Sequence, residues 1–288
     1  MLFIIGFITV FASVIGGYTL HNGDLNVLWQ PSEYLIIVGT VLGGFLISNP
    51  SYKLKLCLRY LSNLFNSKPY EKDDYLQLMS LCFNIFKMMK VKGMLVIESH
   101  IDNPQDSQIF NQSTNLLENE RVLTFMRDYL RIMTMGVDNP YHFENLIDQE
   151  IETIENEELY PGKAFLIMGD SLPAIGIVAA VLGIIVTMGS IAEPPEILGN
   201  LIGAALIGTF AGVLLAYGIV LPIGYYLKHF GESKMNIYNC IRAGFLSHLN
   251  GNAPIITIEF MRKNIPESIK PDFYETDEYI NSNAKNFT

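Results

Sequence analysis

Four long stretches of this sequence carry no Asp, Glu, Lys or Arg, and they constrain the fold more than any other feature. They cover residues 1–23, 34–52, 171–192 and 197–227. A helix needs about 20 mostly apolar residues to cross the hydrocarbon core of a bilayer. No basic residue precedes the first apolar run, as one does in a signal peptide, so it is interpreted as a retained span. The pattern predicts four transmembrane helices.

The basic residues predict the orientation of these spans. All 19 Lys and Arg lie in two segments, with 12 in residues 53–170 and 7 in residues 228–288. The short loops 24–33 and 193–196 contain acids but no base. Because basic residues are retained on the cytoplasmic side, we expect both termini and the central segment in the cytoplasm.

The two basic segments are expected to be helical. Apolar residues recur at three- and four-residue steps within 74–89, 122–133 and 143–154, which is typical of amphipathic helices. Asp-Asn-Pro at 102–104 and at 138–140 predict breaks between helices. The polar tail from residue 266 is expected to be loosely ordered.

The predicted fold class is therefore an all-α integral membrane protein. Residues 1–52 hold transmembrane helices 1 and 2, and residues 53–170 form a large helical cytoplasmic insertion. Residues 171–227 hold transmembrane helices 3 and 4, and residues 228–288 form a cytoplasmic C-terminal helix with a flexible tail.

Enzymatic and nucleic-acid-binding functions are disfavoured. The sequence has no phosphate-binding loop, no zinc-protease or C-x-x-C motif and no nucleophile elbow. Its formal net charge of −10 is opposite to that of a nonspecific nucleic-acid binder. We expect no catalytic residue, no metal site and no cofactor. The three cysteines are expected to be free buried thiols, namely Cys57, Cys82 and Cys240.

Spans three and four each carry a face of small residues. On span three it contains Ala180 and Thr187, and on span four it precedes Tyr217 and includes a G-x-x-x-G motif. Small faces let helices approach closely in lipid, within one chain or between copies. Alternatively, one face lines a narrow route, where Thr187, Thr209 and Tyr217 offer hydroxyls to an ion or water.

No Asp, Glu, Lys or Arg is expected inside any span, although intramembrane ion coupling normally needs an ionisable group. Either this chain moves no ion, or a partner helix brings the titrating carboxylate. Two prolines mark the cytoplasmic ends of these spans. Pro173 is expected in the first turn of a helix, where proline is favoured. Pro222 lies deeper and is expected to bend its helix, as a static kink or a hinge.

Two long motifs resemble a known family. Residues 173–188 (PAIGIVAAVLGIIVTM) and 207–222 (IGTFAGVLLAYGIVLP) resemble the third and fourth transmembrane segments of the MotA family of flagellar motor stator subunits. Residues 161–165 with Gly169-Asp170, the helix 130–152 and residues 90–98 also match. The resemblance extends over nearly the whole chain.

This resemblance implies a bacterial inner-membrane machine. The family forms a ring, understood as a pentamer, around a pair of MotB helices that supply a membrane aspartate. Passage of an ion, expected to be a proton, drives the ring to turn the rotor protein FliG. By motif match Ala180 and Thr209 face the ion path. The remaining implied roles are coupling of ion flow to motion for Pro173, Pro222 and Asp170, and rotor contact for Lys90 and Glu98.

Three alternatives remain open. An ExbB- or TolQ-like proton-driven energiser is also a ring around partner helices, but has three spans. A sodium-type stator resembling PomA would move a different ion. A passive membrane scaffold would have the spans and the helical cytoplasmic part without any transport.

Overall fold

The computed structural model describes residues 2–62, 64, 70–103, 107, 109–110, 119–136 and 139–284. Among these residues no β-strand occurs, and the predicted all-α class is confirmed. The chain forms two compact units. One, here called the membrane unit, contains Met1–Ser67 and Leu159–His229, and the second unit contains Lys68–Glu158 and Phe230–Thr288.

The helices are numbered along the chain. Those before the middle of the sequence are α1 (Leu2–Leu20), α2 (Leu25–Leu28), α3 (Pro31–Ser48), α4 (Ser51–Ser62), α5 (Lys72–Lys92), a 3₁₀ turn (Met94–Ile97), α6 (Glu98–Asp102) and α7 (Glu120–Thr134). The later ones are α8 (Pro140–Glu158), α9 (Tyr160–Met188), α10 (Pro195–Leu215), a π-helical turn (Ala216–Val220), α11 (Leu221–Leu249), α12 (Pro254–Lys263) and α13 (Phe273–Asn283).

Four helices of the described chain are long and apolar enough to cross a membrane, as the charge-free stretches predict. They are α1, the α2–α3 segment, α9 and the helix that begins at Pro195. None of the 18-residue apolar window of α1 is buried within the chain. Apolar side chains in such a window need lipid or another protein chain around them.

Helix α9 begins 13 residues before Pro173, so the prediction that Pro173 opens a helix is wrong. The first turn instead contains Pro161, and Pro173 lies inside the helix. A proline there removes the hydrogen bond to the carbonyl of residue 169. The prediction failed because the absence of charge marks where a helix enters lipid, whereas α9 begins earlier with residues that include Lys163 and Asp170.

The second unit has its own hydrophobic core, formed by helices from the segment between the second and third spans and from the segment after the fourth span. Helices α5, α7 and α8 confirm the three predicted periodic segments. Buried rings of these helices and of α11 meet edge-on in pairs such as Tyr129–Phe143 and Phe86–Phe245. On the rim Arg242 pairs with Glu144 and Asp148 of α8.

The C-terminal segment is more ordered than predicted. Residues 273–283 form α13, whose first turn is closed by a reciprocal pair of hydrogen bonds between Asp272 and Glu275. Ile280 is fully buried in the core of the second unit, and Lys72 of α5 binds Glu275 at 3.1 Å. The tail is polar overall, but Thr276 and Ile280, four residues apart on one helix face, are buried. The expectation of a loosely ordered tail is therefore wrong for residues 266–284.

Other local expectations have mixed outcomes. All three cysteines are buried and free, as predicted. Asp102 ends α6 and Pro140 begins α8, in agreement with the predicted breaks, although Pro104 and Asp138 lie outside the described residues. The predicted domain borders at 52, 170 and 227 follow charge. The borders of the two units follow packing and fall at 67, 158 and 229.

Candidate ion-path and partner-contact sites

Helices α9 and α10 pack through glycine backbone rather than through side chains. A Cβ atom added to Gly176 would lie 2.8 Å from the carbonyl oxygen of Gly208 and 3.0 Å from Cα of Gly212. A Cβ added to Gly183 would lie 2.9 Å from Cβ of Ala205. Close approach of this kind is the membrane packing that small residues permit. Within one chain, the small-residue faces of α9 and α10 therefore pack directly against each other.

The four residues predicted to line the ion path occupy different environments. Ala180 and Thr187 are buried, at 5% and 3% exposure. The Thr187 hydroxyl donates to the carbonyl of Gly183 at 2.9 Å, so its proton is already used within α9. Thr209 is half-buried, and Tyr217 is 65% exposed. The single chain therefore brings Ala180 and Thr187 to one packed face, whereas Tyr217 projects outward.

A carboxyl group missed by the sequence analysis lies at this interface. Glu33 is only 6% exposed. Its Oε2 atom lies 2.8 Å from a Cβ built on Gly208, and its Oε1 atom lies 3.1 Å from one built on Gly183. We call the recess formed by Gly183, Ala205 and Gly208 the Glu33 notch. The expectation that no acid or base lies inside any span is wrong, because the membrane-capable segment Leu25–Ser48 contains Glu33.

The first turn of α3 aims Glu33 into this notch. Helix α3 begins with Pro31, whose fixed φ suits the first helical position. The Tyr34 hydroxyl donates to the carbonyl of Leu28 at 2.9 Å and ties that turn to α2. The predicted span contains only charge-free residues, so it begins at residue 34 and leaves Glu33 out. Proline followed by an acid within one turn was the helix-start signal that would have included Glu33.

Glu33 has no partner for one of its oxygens. Among the described residues, Oε2 is buried and makes no hydrogen bond, and no ion pair involves this side chain. Every Lys and Arg of the membrane unit lies at or beyond the cytoplasmic ends predicted for the spans. They are Lys53, Lys55, Arg59, Lys163 and Lys228.

The helix bearing Tyr217 widens just before Pro222. Gly176 of α9 lies against Gly208 and Gly212, and Gly169, seven residues earlier, lies against Leu221. The π-helical turn Ala216–Val220 lies between these two contacts. Insertions of this type are often found at functional sites. Asp170, predicted to act with the two prolines, is exposed on the neighbouring turn of α9.

The residues predicted to contact the rotor lie on the surface of the second unit. Lys90 is exposed in the last turn of α5, and Glu98 is exposed at the first position of α6. Between them Gly93 has φ = 89°, a conformation that favours glycine, and its N–H donates to the carbonyl of Met89. Leu95, in the connecting 3₁₀ turn, is 67% exposed.

Lys90 also borders an apolar groove of about 330 Å³ between the end of α5 and the start of α12. Its lining includes Phe83, Val91 and Ile255. A basic residue beside exposed apolar side chains is a suitable surface for an acidic, partly apolar protein partner.

Comparisons with known proteins agree with this architecture. The family model for the N-terminal region of motility protein A matches residues 4–93. The model for the MotA/TolQ/ExbB proton channel family matches residues 117–239. Motility protein A of Escherichia coli strain K12 is 39% identical over 280 residues, which cover 97% of this chain and 95% of that protein. Chemotaxis protein LafT of Vibrio parahaemolyticus is 33% identical over 276 residues, covering 96% and 97%.

Solved structures share the fold at lower identity. The chain superposes on a structure of the flagellar MotAB stator complex from Bacillus subtilis with a TM-score of 0.72 and 21% identity, covering 92% of this chain and 96% of that one. A structure of MotAB from C. jejuni gives a TM-score of 0.73 with 17% identity, covering 92% and 95%.

Proposed function

Because this chain belongs to the MotA family of motility proteins, we propose that it is a stator subunit of a bacterial flagellar motor. The observation that carries the proposal is the 39% identity to Escherichia coli motility protein A over 97% of the chain. An ExbB- or TolQ-type energiser would share the second family match. The match over residues 4–93 to the motility protein N-terminal region favours the stator.

The protein lies in the bacterial inner membrane with both termini in the cytoplasm. This orientation rests on the positions of the basic residues, all of which avoid the loops 24–33 and 193–196. Cysteine substituted at Asn26 or Pro195 should react with an impermeant thiol reagent added to intact cells. The native Cys82 should not react, and its labelling in intact cells would contradict the orientation.

Ion flow requires a partner chain. The α9–α10 interface is closed by backbone contact between Gly176 and Gly212, so a continuous path cannot run along the whole interface within one chain. The outward faces of α9 and α10 carry apolar residues such as Ile184 and Val213, with Thr209 beside them. A pair of MotB helices, bearing a membrane aspartate, would complete a path along these faces within a ring of this chain, which we take to be a pentamer.

The translocated ion is a proton. Movement of the ring is passed through the segment around Pro173, Asp170 and Pro222 to the second unit, where Lys90 and Glu98 contact FliG. Because Lys90 and Glu98 carry opposite charges at the two ends of one exposed turn, they can fix the orientation of a bound partner as well as attract it.

Motility of the bacterium tests the function. Deleting the gene should leave cells that assemble flagella but do not swim, and a plasmid copy should restore swimming. A protonophore should stop the restored cells, and removal of external sodium should not. Normal swimming of the deletion strain would contradict the proposal, whereas a requirement for sodium would contradict only the choice of ion.

A further inference from the structure

The geometry around Glu33 points to a second proton-binding site: we propose that its carboxyl group takes up and releases a proton on the way to the partner's membrane carboxylate. The inference rests on the proposed function for the direction of flow. The site itself rests on the burial of Glu33 in the Glu33 notch.

The Glu33 notch lies at a suitable position for a proton-transfer step between the short loops and the middle of the spans. Gly208 lies 13 residues into α10, which is roughly 20 Å along the helix from Pro195. Gly183 lies five residues before the end of α9, or about 7.5 Å. Glu33 therefore reaches from the end of the loop connecting the first two spans to a buried position between α9 and α10.

Two opposing effects allow the carboxyl group to change its charge there. A buried carboxylate oxygen without a hydrogen-bond donor is costly, which favours the protonated form. Glu33 lies in the first turn of α3, at the positive end of the helix dipole, which favours the anion. Because these two effects act in opposite directions, the carboxyl group is not held in one charge state.

The charged groups on every packed element leave this balance intact. Glu33 is the one charged residue of α3, and α2 carries none, with Asp24 at its start. On α10 the charged residue is Glu196, in the first turn, and on α9 they are Lys163 and Asp170, in its first half. The base on these described helices is Lys163, which lies 20 residues before Gly183, or about 30 Å along α9, too far to hold Glu33 permanently ionised.

The notch also explains why glycine occupies two of its three positions. A methyl group on Gly208 would overlap Oε2, and one on Gly183 would crowd Oε1. Space for a carboxyl group is thus built from three positions on two helices. The proton step is simple: an O–H bond forms at Glu33 as one breaks in hydronium, and the same bond later breaks as the proton moves to the partner's carboxylate.

Swimming speed as a function of external pH tests the site. Glu33→Gln keeps the size of the side chain but cannot exchange a proton, and we expect about a tenfold or greater loss of torque at neutral pH with a flattened pH profile. Glu33→Asp should restore part of both. Glu196→Gln, which neutralises an exposed acid on α10, is the matched control and should behave as wild type.

A chemical measurement on the wild-type chain does not depend on how the variants fold. In native membranes an apolar carbodiimide should modify Glu33, detected by mass spectrometry of its peptide, and the modification should decrease as pH is raised. Wild-type speed and pH profile in Glu33→Gln, or labelling of Glu33 that is absent or independent of pH, would overturn the proton site. If the wild-type gene itself fails to restore swimming, the stator function fails instead.

Discussion

Replacement of Gly176 by alanine should loosen the membrane unit, because this glycine lies where two helices touch through their backbones. The new methyl group would lie 2.8 Å from the carbonyl oxygen of Gly208 and 3.0 Å from Cα of Gly212. Neither atom belongs to a side chain that can rotate away. Helices α9 and α10 must therefore separate locally by about 0.5 Å or more to restore ordinary contact distances.

The cost can be estimated by comparison with a glycine that has room. Gly203 of α10 has no atom within 4 Å of an added Cβ. Alanine is better than glycine in a helix by roughly 0.8–1 kcal/mol, and this gain applies to both substitutions. The difference between the two variants then isolates the clash, which for overpacked sites is about 1–3 kcal/mol.

Thermal unfolding of the full-length chain purified with its partner in mild detergent provides the assay. Gly203→Ala should match or exceed the wild-type Tm, and Gly176→Ala should fall below it by roughly 2–4 °C per kcal/mol. Equal Tm values for the two variants would refute the reasoning, since they would mean that the helices do not touch at Gly176.

Three further predictions concern the other sites. Lys90→Glu and Glu98→Lys should each reduce torque while membrane insertion stays normal, since both residues are exposed on the second unit. Torque is measured on tethered cells, and a rotor surface with reversed charge should rescue the variants. Failure of every rescue would contradict the prediction. Thr209→Val should reduce proton flow by removing a hydroxyl at nearly constant volume, and Thr209→Ser should be tolerated; equal swimming speeds would remove this residue from the path. Hydrogen bonds from Arg262 lower the pKa of Glu259, so the stability that they provide should be present above about pH 4.3, the pKa of an unperturbed glutamate, and be lost as pH falls through the lower folded value. Hydrogen-exchange protection of α12 should show this acid-range loss in wild type but not in Glu259→Gln.

The sequence alone determined which segments meet lipid and which meet water. Charge-free runs of about 20 residues give the four spans, because a charged group inside hydrocarbon is costly wherever it lies in the chain. Apolar steps of three and four residues likewise predict α5, α7 and α8. Both signals are local, and each segment can be interpreted without knowing its neighbours.

Three errors show where local interpretation stops. The loss of charge near Pro173 predicts a helix start there, yet α9 begins 13 residues earlier, at Tyr160. The polar composition of the tail predicts loose order, yet Ile280 is fully buried. The small faces of spans three and four could have served packing or transport, and only their mutual contact at Gly176 and Gly212 showed that they pack against each other.

Glu33 is the clearest case of a feature that only the tertiary structure decided. In the sequence it is an acid at the end of a short loop, and such residues are usually solvated. In the fold it meets Gly183 and Gly208, which lie 150 and 175 residues further along the chain. Its burial depends on the register between α3, α9 and α10. That register is set by the summed contacts along all three helices, and no local stretch of sequence contains it.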